Sequence, residues 1–326
     1  MKTATTSFIE TLRLNEQYKT ADKFARPQRG VFSILLNAEA AKKMGHEMND
    51  RISEVTDTYF NAVVLCRKNK ITDALTVLHQ GDAAFENFEN EPQRLIRLFK
   101  LSAWANYHYK AGQFNQGIDL LVSGLSLSAG LETEGYEVLQ FRRIEQLQNI
   151  SRILFSSKKY SEGFTLIRSI LRFIISGNTD GLYIKDWNHQ KFTQIRQMME
   201  NTLDSVFLQL AALNCSVQET PFDDLFYYDF FFKELLESME ADTYNRSILY
   251  NWMYIKASCF KEGQEAFFNN ISIFLKDEEI SPDYNKLKEN LLLQSIRVLA
   301  QHECEDLKKV QESVSLYLNN LQSVAV

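Results

Sequence analysis

Trp104-Ala105-Asn106-Tyr107-His108-Tyr109-Lys110-Ala111-Gly112-Gln113-Phe114-Asn115-Gln116-Gly117-Ile118-Asp119-Leu120-Leu121-Val122-Ser123-Gly124-Leu125 is the stretch that decides the fold. Ala111-Gly112-Gln113 is a helix stop and restart between two apolar runs. Around it, Ala105, Gly117 and Gly124 place small residues 12 and then 7 positions apart. Two antiparallel helices that cross closely need small residues where the backbones meet. They also need a large residue opening the second helix, here Phe114, and another one turn past the middle small residue, here Leu121. The same spacing recurs as Ala62, Ala74 and Gly81 with Ile71 and Leu78. A third unit has Ser151 and Gly163 with Tyr160 and Ile167, but Ile170 stands where a small residue belongs. A fourth has Gly263 with Phe260 and Phe267, but Asn251 and Asn270 at the other two small positions.

Helical spacing extends beyond these units. Leu95, Leu98, Phe99, Leu101, Trp104 and Ala105 follow steps of three and four, which draws one apolar stripe along a helix face. Counting stop and start signals along the chain gives about twelve helices and no strand. The 326 residues are 45% apolar with only 12 Gly and 4 Pro. So few breakers exclude sandwiches, barrels and propellers, which need turn residues every 8–12 positions or so. They also leave little material for glycine-rich phosphate loops.

The 105–125 pattern resembles a tetratricopeptide repeat (TPR) across both helices. The opening residues Ile71, Phe114, Tyr160 and Phe260 lie 43, 46 and 100 apart. If the last interval holds two units, with the missing helices near 190–214 and 222–240, the period averages about 47, longer than the standard 34. The resemblance therefore implies an all-α, right-handed α-α superhelix of TPR-like helix pairs with long units of about 43–50 residues. The expected organisation is N-terminal capping helices over 1–46 (3–17 and 29–45), TPR-like pairs over 47–180, degenerate pairs over 181–282, and C-terminal capping helices over 283–326 (284–302 and 305–322). The Gly-Asn-Thr-Asp-Gly run inside 177–187 is the expected internal break. Gly81, Gly117, Gly124, Gly163 and Gly263 are assigned to close helix crossings.

In TPR-like proteins the first helix of each pair lines a concave groove. Carried over, the pattern puts Tyr59, Val63, Cys66 and Arg67 there from one unit and Ser102, Asn106, Tyr109 and Lys110 from the next. Gln148, Arg152 and Phe155 follow, then Ile248, Trp252, Ile255 and Lys256. The candidate ligand or partner site is Tyr59, Arg67, Asn106, Tyr109, Lys110, Arg152, Trp252 and Lys256. Aromatics and Arg among polar residues are what recognition surfaces use. Arg67, Lys110 and Lys256 occupy equivalent positions, which points to a protein or peptide partner with an acidic or carboxylate-ended group. The Lys and Asn set of the chaperone-type carboxylate clamp is absent.

Charge and cysteines narrow the setting. The net charge is −6, with +4 over residues 1–200 and −10 over 201–326. An acidic C-terminal third gives no footprint for nucleic acid, but the polarity would suit an oligomer or a larger complex. Cys66, Cys215, Cys259 and Cys304 form no CxxC pair and no disulfide framework. The first residues carry no apolar export core, and the run 163–176 is broken by Arg168 and Arg172. A cytoplasmic chain without membrane segments is expected.

No chemistry-bearing motif stands out. The five histidines form no close ligand pair, and His302 with Cys304 would need further ligands from elsewhere, so no metal and no cofactor are expected. In Phe222-Asp223-Asp224-Leu225-Phe226-Tyr227-Tyr228-Asp229 the third acid lies at i+6, the wrong spacing for a magnesium-diphosphate helix. Asp223 and Asp224 are expected to favour a helix start after Pro221 instead. The dense aromatics there read as core. The sequence thus points to a non-enzymatic, protein- or peptide-binding helical-repeat protein acting as scaffold, adaptor or peptide-responsive regulator. The alternatives are a structural subunit of a larger assembly using its outer faces, and an all-α enzyme of unrecognised site.

Overall fold

A computed structural model describes residues 2–14, 30–217, 233–277, 279–301 and 306–323. Every regular element among the described residues is helical. His302, Cys304 and the aromatic and acidic run 221–232 lie outside the described residues. The chain divides into two compact units, one of residues 28–203 and one of 1–27 with 204–326.

The first helix of the chain, α1 (Lys2–Leu14), belongs to the other unit, and the helices of the 28–203 unit are α2 (Val31–Met44), α3 (His46–Arg67), α4 (Ile71–Phe85), α5 (Asn90–Lys110), α6 (Phe114–Thr133), α7 (Leu139–Ser156), α8 (Tyr160–Ser176) and the short α9 (His189–Gln194). Three antiparallel pairs, α3 with α4, α5 with α6 and α7 with α8, also stack on one another through α3–α5 and α6–α7 contacts.

Each pair is joined by the same three-residue turn. Asn69, Gly112 and Lys158 take left-handed φ values of 61°, 77° and 62°. The following N–H donates back across the end of the helix: Lys70 to the Leu65 carbonyl at 2.9 Å, Gln113 to His108 at 2.8 Å and Lys159 to Leu154 at 2.9 Å. This geometry satisfies carbonyls that a helix terminus otherwise leaves open. The turn ends one helix and aims the next antiparallel to it, so Ile71, Phe114 and Tyr160 each become a first residue.

Between the paired helices the small residues meet large ones. A Cβ on Gly117 would stand 3.2 Å from the Ala105 carbonyl oxygen and 3.1 Å from Ile153 Cδ1. At Gly81 it would stand 2.9 Å from the Tyr59 ring, and at Gly163 2.6 Å from Phe155. Gly124 faces Gln146 of α7, so it serves contact between neighbouring pairs. Gly263 departs from the expectation. It has φ +89° and no atom within 4 Å of where its Cβ would be, because it sits in the connection before the next helix and not at a crossing.

Segment 177–187 is not a break between the two units. Its Asp186 carbonyl accepts from Arg143 Nη1 at 2.7 Å, the Trp187 ring lies 3.8 Å from that guanidinium, and Trp187 meets Phe173 at 4.9 Å. These contacts fasten it to α7 and α8. The division falls instead at 203/204, within α10 (Arg196–Ser216).

The other unit contains α1, the remainder of α10, α11 (Glu234–Ser238), α12 (Tyr244–Lys261), α13 (Gln264–Lys276), α14 (Asn285–Gln301) and α15 (Leu307–Ser323). Helix α1 buries Ala4, Phe8, Ile9 and Leu12, spaced as one helical face. That face packs on α13 and α15, with Phe8 and Phe268 rings 5.3 Å apart. The grouping of 1–46 as one pair of N-terminal caps therefore gives way: α1 joins the C-terminal helices, while α2 lies on α3. The fourth unit's register also shifts. Phe260 falls in the last turn of α12, whereas α13 opens on Gln264.

Candidate functional site

The C-terminal halves of α3, α5 and α7 come together because the three joining turns are equivalent and the pairs stack in sequence. Their exposed sides line a cleft of about 160 Å³. Arg67 comes from α3, Ser102, Asn106, Tyr109 and Lys110 from α5, and Asn149 and Arg152 from α7. On α5 the steps from 102 to 106 to 109 and 110 keep these side chains on one face. Ala105, Leu121 and Ile153 supply the apolar part of the lining.

The cleft is electropositive. Arg67, Lys110 and Arg152 are its charged residues, and none of the lining residues is acidic. Among the described residues no carboxylate forms an ion pair with these three cations. Arg152 Nη1 donates to Asn149 Oδ1 at 2.7 Å, which orients the guanidinium. Poor solvation, chiefly, lowers Arg152 from its ordinary value; Glu145 opposes the shift and the charge of Arg67 adds to it. The side chain nevertheless has an exposed surface, and a guanidinium keeps its charge at neutral pH. Lys110 Nζ stands 5.6 Å from the centre of the Tyr109 ring, and the Tyr109 and Ser156 hydroxyls share a hydrogen bond at 2.9 Å. Asn106 keeps an amide that is both donor and acceptor on the wall.

Of the eight candidate residues, Arg67, Asn106, Tyr109, Lys110 and Arg152 thus converge. Tyr59, Trp252 and Lys256 do not. Tyr59 is 1% exposed and turned into the α3–α4 crossing, where its hydroxyl donates to Asp82 Oδ1 at 2.8 Å. Burial first, then the Asp82 carboxylate, push that hydroxyl above its usual range, so it remains a donor. Trp252 and Lys256 belong to the other compact unit. Trp252 is fully buried, with Phe207 at 6.1 Å. Lys256 is 3% exposed, and its ammonium donates to Asn290 Oδ1 at 2.9 Å and Gln294 Oε1 at 2.7 Å. Both are buried because α12 is covered by α13 and also by α14. Cys66, Gln148, Phe155, Ile248 and Ile255 are buried as well.

Asn149 is the polar lining residue that the sequence reading missed. Its signal was the i, i+3 step to Arg152, which allows the amide to hold the guanidinium. Among the described residues no group of three His, Cys, Asp or Glu side chains is placed to hold a metal ion. No described helix is long and apolar enough to cross a membrane. No protein-family model matches the chain, and neither a curated protein nor a solved structure is significantly similar to it.

Proposed function

We propose that the chain is a non-enzymatic helical-repeat protein that holds a protein or peptide segment against its paired helices, as scaffold, adaptor or peptide-responsive regulator. In this reading α3 to α8 are TPR-like units of a right-handed superhelix, and the cleft is part of its concave face. The observation that carries it is the convergence of Arg67, Asn106, Tyr109, Lys110 and Arg152, from three successive first helices, on one cleft without an acidic lining residue. Such a surface combines cations, an aromatic and amides, the chemistry of a recognition site for an acidic or carboxylate-ended group.

The test is a pull-down from the native host with the wild-type chain and the double variant Asn106→Ala/Lys110→Glu. The expected result is a partner held by the wild type and lost by the variant. Full retention overturns the groove reading. A stoichiometric complex insensitive to the double variant would favour the second reading, a structural subunit using outer faces; Ile34, Phe60 and Ile273, 68%, 59% and 69% exposed, are among the apolar side chains available to it.

A further inference from the structure

We infer that the group received by the cleft is the phosphomonoester of a phosphorylated peptide segment. The inference rests on the reading of the cleft as the ligand site and narrows its ligand class. Three features carry it.

The first is charge. Arg67, Lys110 and Arg152 bring three positive charges into one cleft, and no lining residue is acidic. A carboxylate supplies a single negative charge. A phosphomonoester supplies close to two at neutral pH, together with three acceptor oxygens. The second is direction. The cations stand on three different helices, so their donors reach the cleft from three separate elements. A tetrahedral group with three terminal oxygens can meet them together, whereas a planar carboxylate presents two oxygens in one plane. Clusters of Arg are the recurring means of binding phosphorylated motifs. Asn149 fixes the Arg152 guanidinium, which reduces the ordering cost of that contact.

The third feature favours a peptide as carrier. Asn106 lies beside the cations on the same wall and makes no side-chain hydrogen bond among the described residues. Its amide can donate to one backbone carbonyl and accept from one backbone N–H of an extended segment. Leu121 and Ile153 give the lining an apolar part suited to an aliphatic neighbour of the phosphorylated residue.

The test uses the full chain, three blocked pentapeptides with alanine on either side of a central phosphoserine, serine or glutamate, and a fourth with a central serine and a free C-terminal carboxylate. Inorganic phosphate is a separate arm. Calorimetry or NMR titration should give an affinity for the phosphoserine peptide about tenfold or more above that for the glutamate and free-carboxylate peptides. It should exceed that for inorganic phosphate by a similar factor and strengthen from about pH 5 to about pH 7 as the second phosphate proton leaves. Arg67→Ala, Lys110→Ala and Arg152→Ala, all at exposed positions, should each weaken it about tenfold while leaving the circular dichroism unchanged.

Equal affinity for phosphoserine and carboxylate peptides, lost in the same variants, overturns the phosphomonoester assignment and leaves the ligand cleft standing. Equal affinity for inorganic phosphate overturns the peptide carrier. Absence of binding by every probe, or binding that survives all three substitutions, overturns the inference together with the role of the cleft.

Discussion

The Tyr59 hydroxyl, on α3, donates to Asp82 Oδ1, on α4, at 2.8 Å within a crossing that Gly81 keeps close. Asp82 also receives the Trp104 indole N–H at 3.3 Å and pairs with the Lys100 ammonium at 3.2 Å, so one carboxylate joins α3, α4 and α5. Tyr59→Phe removes one hydrogen bond to a charged acceptor and should cost about 1.5–3 kcal/mol. Asp82→Ala should cost more, because it strands the Tyr59 hydroxyl in a buried site. Urea denaturation checks the order, and an Asp82→Ala midpoint equal to wild type refutes it.

Gly117 and Gly263 should fail in different ways. At Gly117 the cost grows with side-chain size, since a Cβ already approaches the Ala105 carbonyl: Gly117→Leu should cost about 1–3 kcal/mol, and Gly117→Ala less. At Gly263 the cost lies in the backbone. Its φ of +89° with ψ of 176° suits glycine, so Gly263→Ala and Gly263→Leu should both cost about 1–3 kcal/mol. Melting temperatures of the four variants decide it; a strong size dependence at Gly263 would contradict the open surroundings.

What the sequence made legible follows from what is local. Small residues spaced along adjoining helices mark close contacts over α3 to α8, with Gly81, Gly117 and Gly163 within a pair and Gly124 between pairs, and Arg67, Lys110 and Arg152 could be placed because their helices end on equivalent turns. The fold of α1 was illegible because the face of Phe8 and Leu12 is covered by α13 and α15, hundreds of residues away in places, and an amphipathic stripe does not name its partner. Lys256 was misplaced for the same reason. Its position near the end of a first helix suggested a groove residue, but Asn290 and Gln294 of α14 receive its ammonium, and nothing near 256 announces them. The turn composition of 177–187 suggested a break, but the segment is anchored by Arg143, far upstream.

That anchoring gives a further prediction. Arg143 is fully buried, pairs with Glu132 at 2.9 Å and binds the Asp186 carbonyl at 2.7 Å. Arg143→Met strands Glu132 and releases the segment, a loss of about 3–5 kcal/mol. Trypsin should then cut at Lys185 faster than in the wild type, by more than it does in an equally destabilised Gly117 variant. Equal cleavage rates would show that Arg143 does not hold the segment.

Stability should also depend on pH through Glu39. Its Oε1 accepts from the Val138 N–H at 3.3 Å, while burial, opposed by that bond, pushes its carboxyl up to about 7. The folded state therefore holds this proton more tightly than the unfolded chain. The contribution is fully present below the ordinary value of 4.5 and is lost as pH rises through about 7. Glu39→Gln, which keeps the acceptor and removes the charge, should be more stable than wild type at about pH 8 and approach it below about pH 4. Urea midpoints across that range test it, and a constant difference between the two proteins would exclude the linkage.

The cations of the cleft should contribute little to the fold, or oppose it. Arg67 and Arg152 disfavour each other's charge, and among the described residues no carboxylate pairs with either. Replacing Arg67 by Ala removes this repulsion at an exposed site, so stability should stay within about 0.5 kcal/mol of wild type or rise slightly. Any gain is electrostatic and should vanish in about 1 M salt, where the screening length falls to about 3 Å. Thermal melts of wild type and Arg67→Ala at low and high salt measure this. A structural role for Arg67 would show instead as a loss of stability that salt does not remove, whereas a salt-sensitive gain means that the charge is retained at the expense of the folded state, as expected of a residue kept for a ligand.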